Sequence, residues 1–186
     1  MRLTGGQGRG RPIKGPRGLG LRPTADRVRE ALFDILGARV EEAQFLDAFA
    51  GTGAVGIEAL SRGARRVVFL ERDRRAIRLI AENLALGAWS GSSCVMEGDV
   101  GGSISRLARE GTRFSIVFLD PPYEAADYRE LLMGAARILE PEGILVLEHR
   151  SSTRIESLPA ASVRPLRTYK YGDTSLTTLL PAATRG

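Results

Sequence analysis

The sequence predicts an α/β fold: a mostly parallel sheet with helices on both faces, closed at its C-terminal end by an antiparallel hairpin. Three observations predict it. Apolar runs of strand length alternate with stretches of helical periodicity, and strand followed by helix, repeated, implies parallel pairing under a cover of helices. A glycine-rich turn, "DAFAGTGAVG", follows the first apolar run and opens the next helical pattern. The tail, "SVRPLRTYKYGDTSLTTLLP", has two extended stretches around Gly172 and Asp173, a hairpin signal.

The elements follow in order. Residues 1–23 form a segment of their own, rich in glycine and arginine, with seven glycines among the first 20 residues. Residues 1–30 carry eight Lys or Arg (Arg2, Arg9, Arg11, Lys14, Arg17, Arg22, Arg27, Arg29) against Asp26 and Glu30, a net of +6; the remaining chain sums to −1. A flexible cationic arm suits a phosphate-rich partner, and a solvating tail is the competing reading. "PTADRVREALFDIL" then puts Val28, Ala31, Leu32, Ile35 and Leu36 on one helical face, with Thr24 as N-cap after Pro23. The strand–helix pairs are "QFLDAFA" with "AVGIEALSRG", "RRVVFLE" with "RRAIRLIAENLAL", "SSCVMEGD" with "VGGSISRLARE", and "RFSIVFLD" with "YRELLMGAARIL", and "GILVLEH" precedes the tail. Residues 24–186 therefore read as one domain, without internal repeat or linker.

Composition narrows the function classes. A length of 186 residues with 43% hydrophobic content supports a sizeable core. One cysteine, Cys94, allows no internal disulfide, and no secretory leader or long apolar window is evident, so a soluble, cytoplasmic monomer is expected. His149, the only histidine, and Cys94 share no ligand spacing, and no metal is expected. His149 reads as a strand-end residue rather than a catalyst. Trp89, in "GAWSGSS", is either a lid aromatic or a packing residue.

In sheets of this kind ligands bind beyond the carboxyl ends of the strands, and four acids fall there: Asp47, Glu71, Asp99 and Asp120. Gly51, Gly53 and Gly56 make a literal G-x-G-x-x-G with Glu71 twenty residues beyond Gly51, which alone fits a dinucleotide site. Asp47 argues against that, because a carboxylate beside a loop meant for pyrophosphate repels it. S-adenosylmethionine offers a sulfonium, an ammonium and a ribose, and suits an acid beside a glycine loop. Glu71 is then available to the ribose hydroxyls, and Asp99 with Val100 to the adenine. A tight turn without any ligand stays open as the bland alternative.

"IVFLDPPYEA" ends a buried-type run on an acid and two prolines. The prolines donate no N–H, hold φ near −65° and bias Asp120 toward extended backbone. The Asp120 carboxylate and the Pro121 carbonyl can both accept from an exocyclic amine, and Tyr123 offers a face for a base to stack on. Simple chain reversal is the alternative.

"DAFAGTGAVGIEAL", "VVFLERD", "EGDV" and "FLDPPY" resemble the motifs of amino methyltransferases. With "GRGRPIKGP…LRPTADRVREALFDIL" and "YKYGDTSL" the chain is similar over nearly its whole length to the bacterial 16S rRNA guanine-N2 methyltransferases. Thr52 departs from the serine common there, and the glycine-rich start is looser. The resemblance implies a seven-stranded Rossmann-like sheet with an antiparallel last strand. It implies S-adenosylmethionine held by Asp47, Ala48, Phe49, Gly51, Gly53, Glu71, Arg72, Asp99 and Val100. It implies a target guanine of the small ribosomal subunit's RNA at Asp120, Pro121, Pro122 and Tyr123. Arg9, Arg11, Lys14, Arg17, Arg22, Arg27 and Arg29 become RNA contacts. The rivals are a DNA adenine-N6 methyltransferase, an NAD-dependent oxidoreductase and a non-catalytic RNA-binding module. No target-recognition insert favours the first, and no hydride-transfer residues favour the second.

Overall fold

A computed structural model describes residues 1–15, 23–87, 89–122, 127–155 and 162–182. The chain divides into two compact units, Met1–Val100 and Gly101–Gly186. Seven strands make a mixed sheet, as the sequence leads one to expect.

The first unit begins with a docked segment in place of the expected flexible arm. Leu3 and Ile13 are buried, and residues 1–13 fold back on themselves through backbone bonds from Leu3 to Arg11, from Gly10 to Leu3 and from Ile13 to Met1. Helix α1 spans Pro23–Leu36. It starts at the proline, one residue before the expected Thr24 cap, because proline needs no N–H in a first turn. Val28, Leu32, Phe33 and Leu36 are its buried apolar residues among the described side chains. Strands β1 (Gln44–Ala48), β2 (Arg66–Glu71) and β3 (Ser93–Glu97) are parallel, with β2 in the centre. Phe45, Leu46 and Ala48 of β1 and Val67, Val68, Phe69 and Leu70 of β2 are buried, as continuous apolar runs covered on both faces should be. Helices α2 (Ala54–Ser61) and α3 (Arg74–Leu86) make the crossovers. At Gly56 an added Cβ would lie 2.3 Å from a Phe69 ring carbon, so the third glycine of the turn serves close packing of α2 on β2.

Glu58 of α2 is 0% exposed. Its Oε2 accepts from Arg29 Nε of α1 at 2.7 Å. Its Oε1 accepts from Arg62 Nη2 at 2.9 Å, from the Thr4 amide at 3.2 Å and from the Thr4 hydroxyl. Arg29, 4% exposed, also donates to Asp26 and to the Arg2 carbonyl. Arg62 lies over the Phe33 ring, 4.7 Å from its centroid. One carboxylate therefore ties the N-terminal segment and α1 to α2. Ser61 adds to this, accepting from the Gly8 amide and donating to the Gly5 carbonyl.

In the second unit, α4 (Val100–Arg109, entering from the first unit's last residue) precedes β4 (Phe114–Leu119), α5 (Tyr128–Ala136) and β5 (Leu139–Arg150). Strands β4 and β5 are parallel. Strands β6 (Val163–Tyr171) and β7 (Thr174–Pro181) form the expected hairpin about Gly172 and Asp173, and β7 pairs antiparallel with β5. Gly172 has a φ of 64°, the left-handed backbone that glycine takes without strain. His149 is buried on β5, with one ring nitrogen at 2.8 Å from the Thr177 hydroxyl and the other at 2.8 Å from the Arg150 carbonyl. It is a structural residue of the strand.

Truncating Glu58 to Ala leaves a buried Arg29 guanidinium with only the partly exposed Asp26 carboxylate as its ion-pair partner among the described residues. The expected loss is about 3–5 kcal/mol of unfolding free energy, read from urea denaturation. Thr4→Ala, which removes only a neutral donor, should cost about 1 kcal/mol.

Candidate functional site

The glycine turn is built by left-handed backbone. Phe49, Gly51 and Gly53 have φ of 67°, 55° and 76°. Phe49 is the notable one, since an aromatic residue there carries strain of about 1–3 kcal/mol that the surroundings must hold. Two acids hold them. Glu71, at the end of β2, accepts from the Gly51 amide at 2.8 Å through Oε2, and from the Arg72 and Asp73 amides at 2.7 and 2.8 Å through Oε1. Ala50 N–H bonds to the Leu70 carbonyl, and Gly53 N–H to the Ala50 carbonyl. The turn is thus laced to the carboxyl end of β2.

Asp47 differs from expectation. It is 2% exposed, and its Oδ2 accepts from the Gly56 amide at 2.8 Å. The N-cap of α2 is Gly53, which has no side chain to satisfy the helix's first amides, so Asp47 does so from β1. One oxygen of this buried carboxylate is thus bonded at the helix start. Glu71 too is less available than two ribose hydroxyls require. Three backbone donors occupy it, and a carboxylate has about four acceptor directions, which leaves about one. At Gly51 an added Cβ would come no nearer than 4.0 Å to another atom, the Phe49 carbonyl oxygen, so the backbone there is open to approach. Arg72 and Asp99 are exposed, Ala48 and Val100 buried, and Phe49 half-buried.

In the second unit, Asp120 directly follows β4, with Pro121 buried and Pro122 exposed; Tyr123, the expected stacking face, lies outside the described residues. Burial pushes the Asp120 carboxyl up from the usual carboxylate range to about 6. Tyr128, the first residue of α5, is also pushed up: burial is the main cause, the Asp120 carboxylate adds to it, and the Arg150 guanidinium opposes it. Asp120, Tyr128 and Arg150 therefore share one electrostatic neighbourhood at the carboxyl ends of β4 and β5. The sequence reading missed Tyr128 and Arg150. The available signal was that Arg150 ends a parallel strand on the rim where Asp120 ends its neighbour.

The basic residues divide. Arg9 is exposed with no side-chain partner among the described residues, and Arg27 is exposed. Arg11 donates to the Leu86 carbonyl and lies 6.0 Å from the Trp89 ring centroid. Lys14 pairs with Glu82 at 2.9 Å, both side chains more than half exposed. Arg29, expected among the RNA contacts, is withdrawn from that role by its buried bonds to Glu58, because a carboxylate in the core has first claim on it. Arg17 and Arg22 lie outside the described residues. Trp89 is a packing residue: a Cβ on Gly87 would sit 2.2 Å from its ring and one on Gly8 2.9 Å.

The family description "Conserved hypothetical protein 95" matches residues 1–180. The chain belongs to that family. It is 43% identical over 148 residues to the Ribosomal RNA small subunit methyltransferase D of Escherichia coli K12, covering 80% of this chain and 71% of that one. A solved structure of yhhF, a candidate methyltransferase from Escherichia coli, is 35% identical, with a TM-score of 0.84 over 99% of each chain. SMU.776, a candidate methyltransferase complexed with SAH, is 16% identical with a TM-score of 0.73, over 86% of this chain and 50% of that one, a likeness of fold alone. The fold is that of a seven-stranded Rossmann-like methyltransferase. Among the described residues no group of His, Cys, Asp or Glu side chains is arranged to hold a metal ion, and no helix is long and apolar enough to cross a membrane.

A raised carboxyl holds its proton in the folded chain at pH values where the unfolded chain has released it. The stability contribution of Asp120 is therefore fullest at low pH and declines as pH rises from about 4 through about 6. Asp120→Asn should raise unfolding free energy by up to about 3 kcal/mol above pH 6, a gain that vanishes below about pH 4. Paired urea titrations across that range measure it.

Proposed function

We propose that this chain transfers a methyl group from S-adenosylmethionine to the exocyclic N2 of a guanine in small-subunit rRNA. The observation that carries the reading is Asp120, a carboxylate held in a desolvated site and followed by two residues without N–H donors. At neutral pH, above its raised value, it is an acceptor-only group. Beside two prolines it selects for a donor, and an exocyclic amine is one. Membership of the family, with a named rRNA methyltransferase among the relatives, supports the group transferred and the class of acceptor.

The residues of the glycine turn fit the donor. Gly51 leaves its backbone open, and Glu71 retains about one acceptor direction for a ribose hydroxyl. Asp47 disfavours a pyrophosphate and fixes the first turn of α2. Asp99 and Val100 remain the proposed adenine contacts. S-adenosylmethionine supplies an electrophilic methyl carbon on a sulfonium. Asp120 accepts from the guanine amine and aims its lone pair, so that N2–C bond formation and C–S cleavage proceed together. The product amine, cationic as it forms, loses a proton readily and needs no strong base. Positioning and desolvation supply most of the rate. A paired guanine cannot offer this geometry, so an unpaired or extruded base is the substrate, for which Tyr123 is the proposed stacking face.

The N-terminal segment contributes phosphate contacts from Arg9, Arg11, Lys14, Arg17 and Arg22, and α1 adds Arg27. Arg11 and Lys14 exchange exposed partners for phosphate at small cost, since surface pairs are worth about 0–1 kcal/mol. Docking of residues 1–13 lowers the ordering entropy that a free arm would lose on RNA.

Incubation with methyl-labelled donor and, separately, small subunits, naked rRNA and duplex DNA, followed by nucleoside analysis, tests the reading. N2-methylguanosine from small subunits is expected; label in DNA alone overturns it. The rate of the free enzyme should rise with pH through about 6 as Asp120 ionises. Asp120→Asn should lower turnover on the order of 10² with donor affinity unchanged. Glu71→Ala should weaken donor binding by about 1.5–3 kcal/mol. Replacing Arg9, Arg11 and Lys14 with Ala should reduce the salt slope of RNA binding by roughly 2 to 3.

A further inference from the structure

Helix α3 carries a buried amide that the proposed reaction does not use. Asn83 is 1% exposed. Its Oδ1 accepts from the Lys14 amide at 2.8 Å, and its Nδ2 donates to the Lys14 carbonyl at 3.0 Å and to the Thr52 carbonyl at 3.1 Å. The two hydrogens of the Asn83 amide nitrogen are both used, and the three bonds fix which end is oxygen. One side chain thus joins the backbone of the basic N-terminal segment to the backbone of the glycine turn. Thr52 lies between Gly51 and Gly53, both left-handed.

The placement of Lys14 gives this bridge a consequence. Ile13, just before it, is buried and its amide bonds to Met1. The Lys14 ammonium is exposed and pairs with the exposed Glu82 carboxylate. A phosphate that takes the ammonium from Glu82 therefore acts on a residue whose backbone is clamped to Asn83. A buried amide cannot drop one set of partners without leaving polar groups unpaired, so an ordered Lys14 backbone and an ordered Thr52 carbonyl support each other.

We infer that Asn83 is a positioning residue that couples phosphate binding by the N-terminal segment to donor binding at the glycine turn. The inference rests on the proposed function. Phosphate on the Lys14 ammonium stabilises the bonded arrangement of its backbone against local opening, the Asn83 amide carries that stability to Thr52, and the donor meets a turn already set. By linkage the donor strengthens RNA binding by the same factor.

An oligouridylate is the probe, since it brings phosphates but no guanine to touch the methyl donor directly. By calorimetry on the full chain, saturating oligouridylate should lower the Kd for S-adenosylhomocysteine by about fivefold or more, in the ordinary range of such couplings. Hydrogen exchange at the Thr52 and Gly53 amides should slow on adding the same RNA. In Asn83→Ala the coupling factor should fall to within about twofold of one, with the salt slope of RNA binding unchanged because Asn83 meets no phosphate. Asn83→Asp, which keeps the acceptor but turns an oxygen toward two carbonyls, should lose the coupling as well. A variant that weakens S-adenosylhomocysteine equally with and without RNA, keeping the wild-type factor, makes Asn83 merely structural and overturns the inference. Should neither variant fold, the unmodified chain decides alone: an S-adenosylhomocysteine Kd indifferent to oligouridylate overturns it. A chain that does this while methylating small subunits keeps the proposed function and loses only the coupling. A chain that binds no S-adenosylhomocysteine loses both.

Discussion

The carboxylate of Glu58, wholly removed from water on α2, has four side-chain and backbone groups to satisfy it: Arg29, Arg62 and both donors of Thr4. A buried charge is tolerable only when paired and hydrogen-bonded, so each of those groups is obliged to be where it is. That obligation brings α1 and the first residues of the chain onto α2. Because α2 begins at the glycine turn, the same helix that carries this charge also sets the turn. Asp47 fixes the helix at its start and Glu58 fixes it in the middle.

The two acids at the turn act chiefly as organisers of backbone. Glu71 spends three of about four acceptor directions on amides of residues 51, 72 and 73, and Asp47 holds the amide of residue 56 in the first turn of the helix. What they secure is a backbone with left-handed residues at 49, 51 and 53, which an unsupported chain would not hold. Asp120 presents the opposite case: desolvation raises its carboxyl.

The strands and helices were legible because their signals are local. "IVFLD" and "VVFLE" are buried runs, and the four crossover helices lie within the stretches their periodicity marks. Position of the acids on the strand ends was legible for the same reason. The N-terminal segment was misread. Glycine content and charge describe a free chain well, whereas Leu3 and Ile13 give too little apolar signal to announce a docking surface. Arg29 was counted as a surface cation, since a sequence reports charge and not pairing. The clue was Glu58 itself, an acid set between Ile57, Ala59 and Leu60 on a helix that is otherwise apolar. Asn83 and Trp89 were opaque because their partners, at residues 8, 14 and 52, are distant in the chain.

The docking of the first fifteen residues also sets an order of events during synthesis. Thr4 finds its partner at residue 58, and Lys14 finds its own at residue 83. At roughly 5–20 residues per second, translation takes about 4 to 14 s to go from Lys14 to Asn83. Throughout that interval Lys14 has no Asn83 amide to hold its backbone, although the partners of Thr4 and Gly8 on α2 have already been made. Residues around Lys14 are thus among the last of their unit to settle, and a cationic segment emerges from the ribosome well before the α3 surface that will hold it.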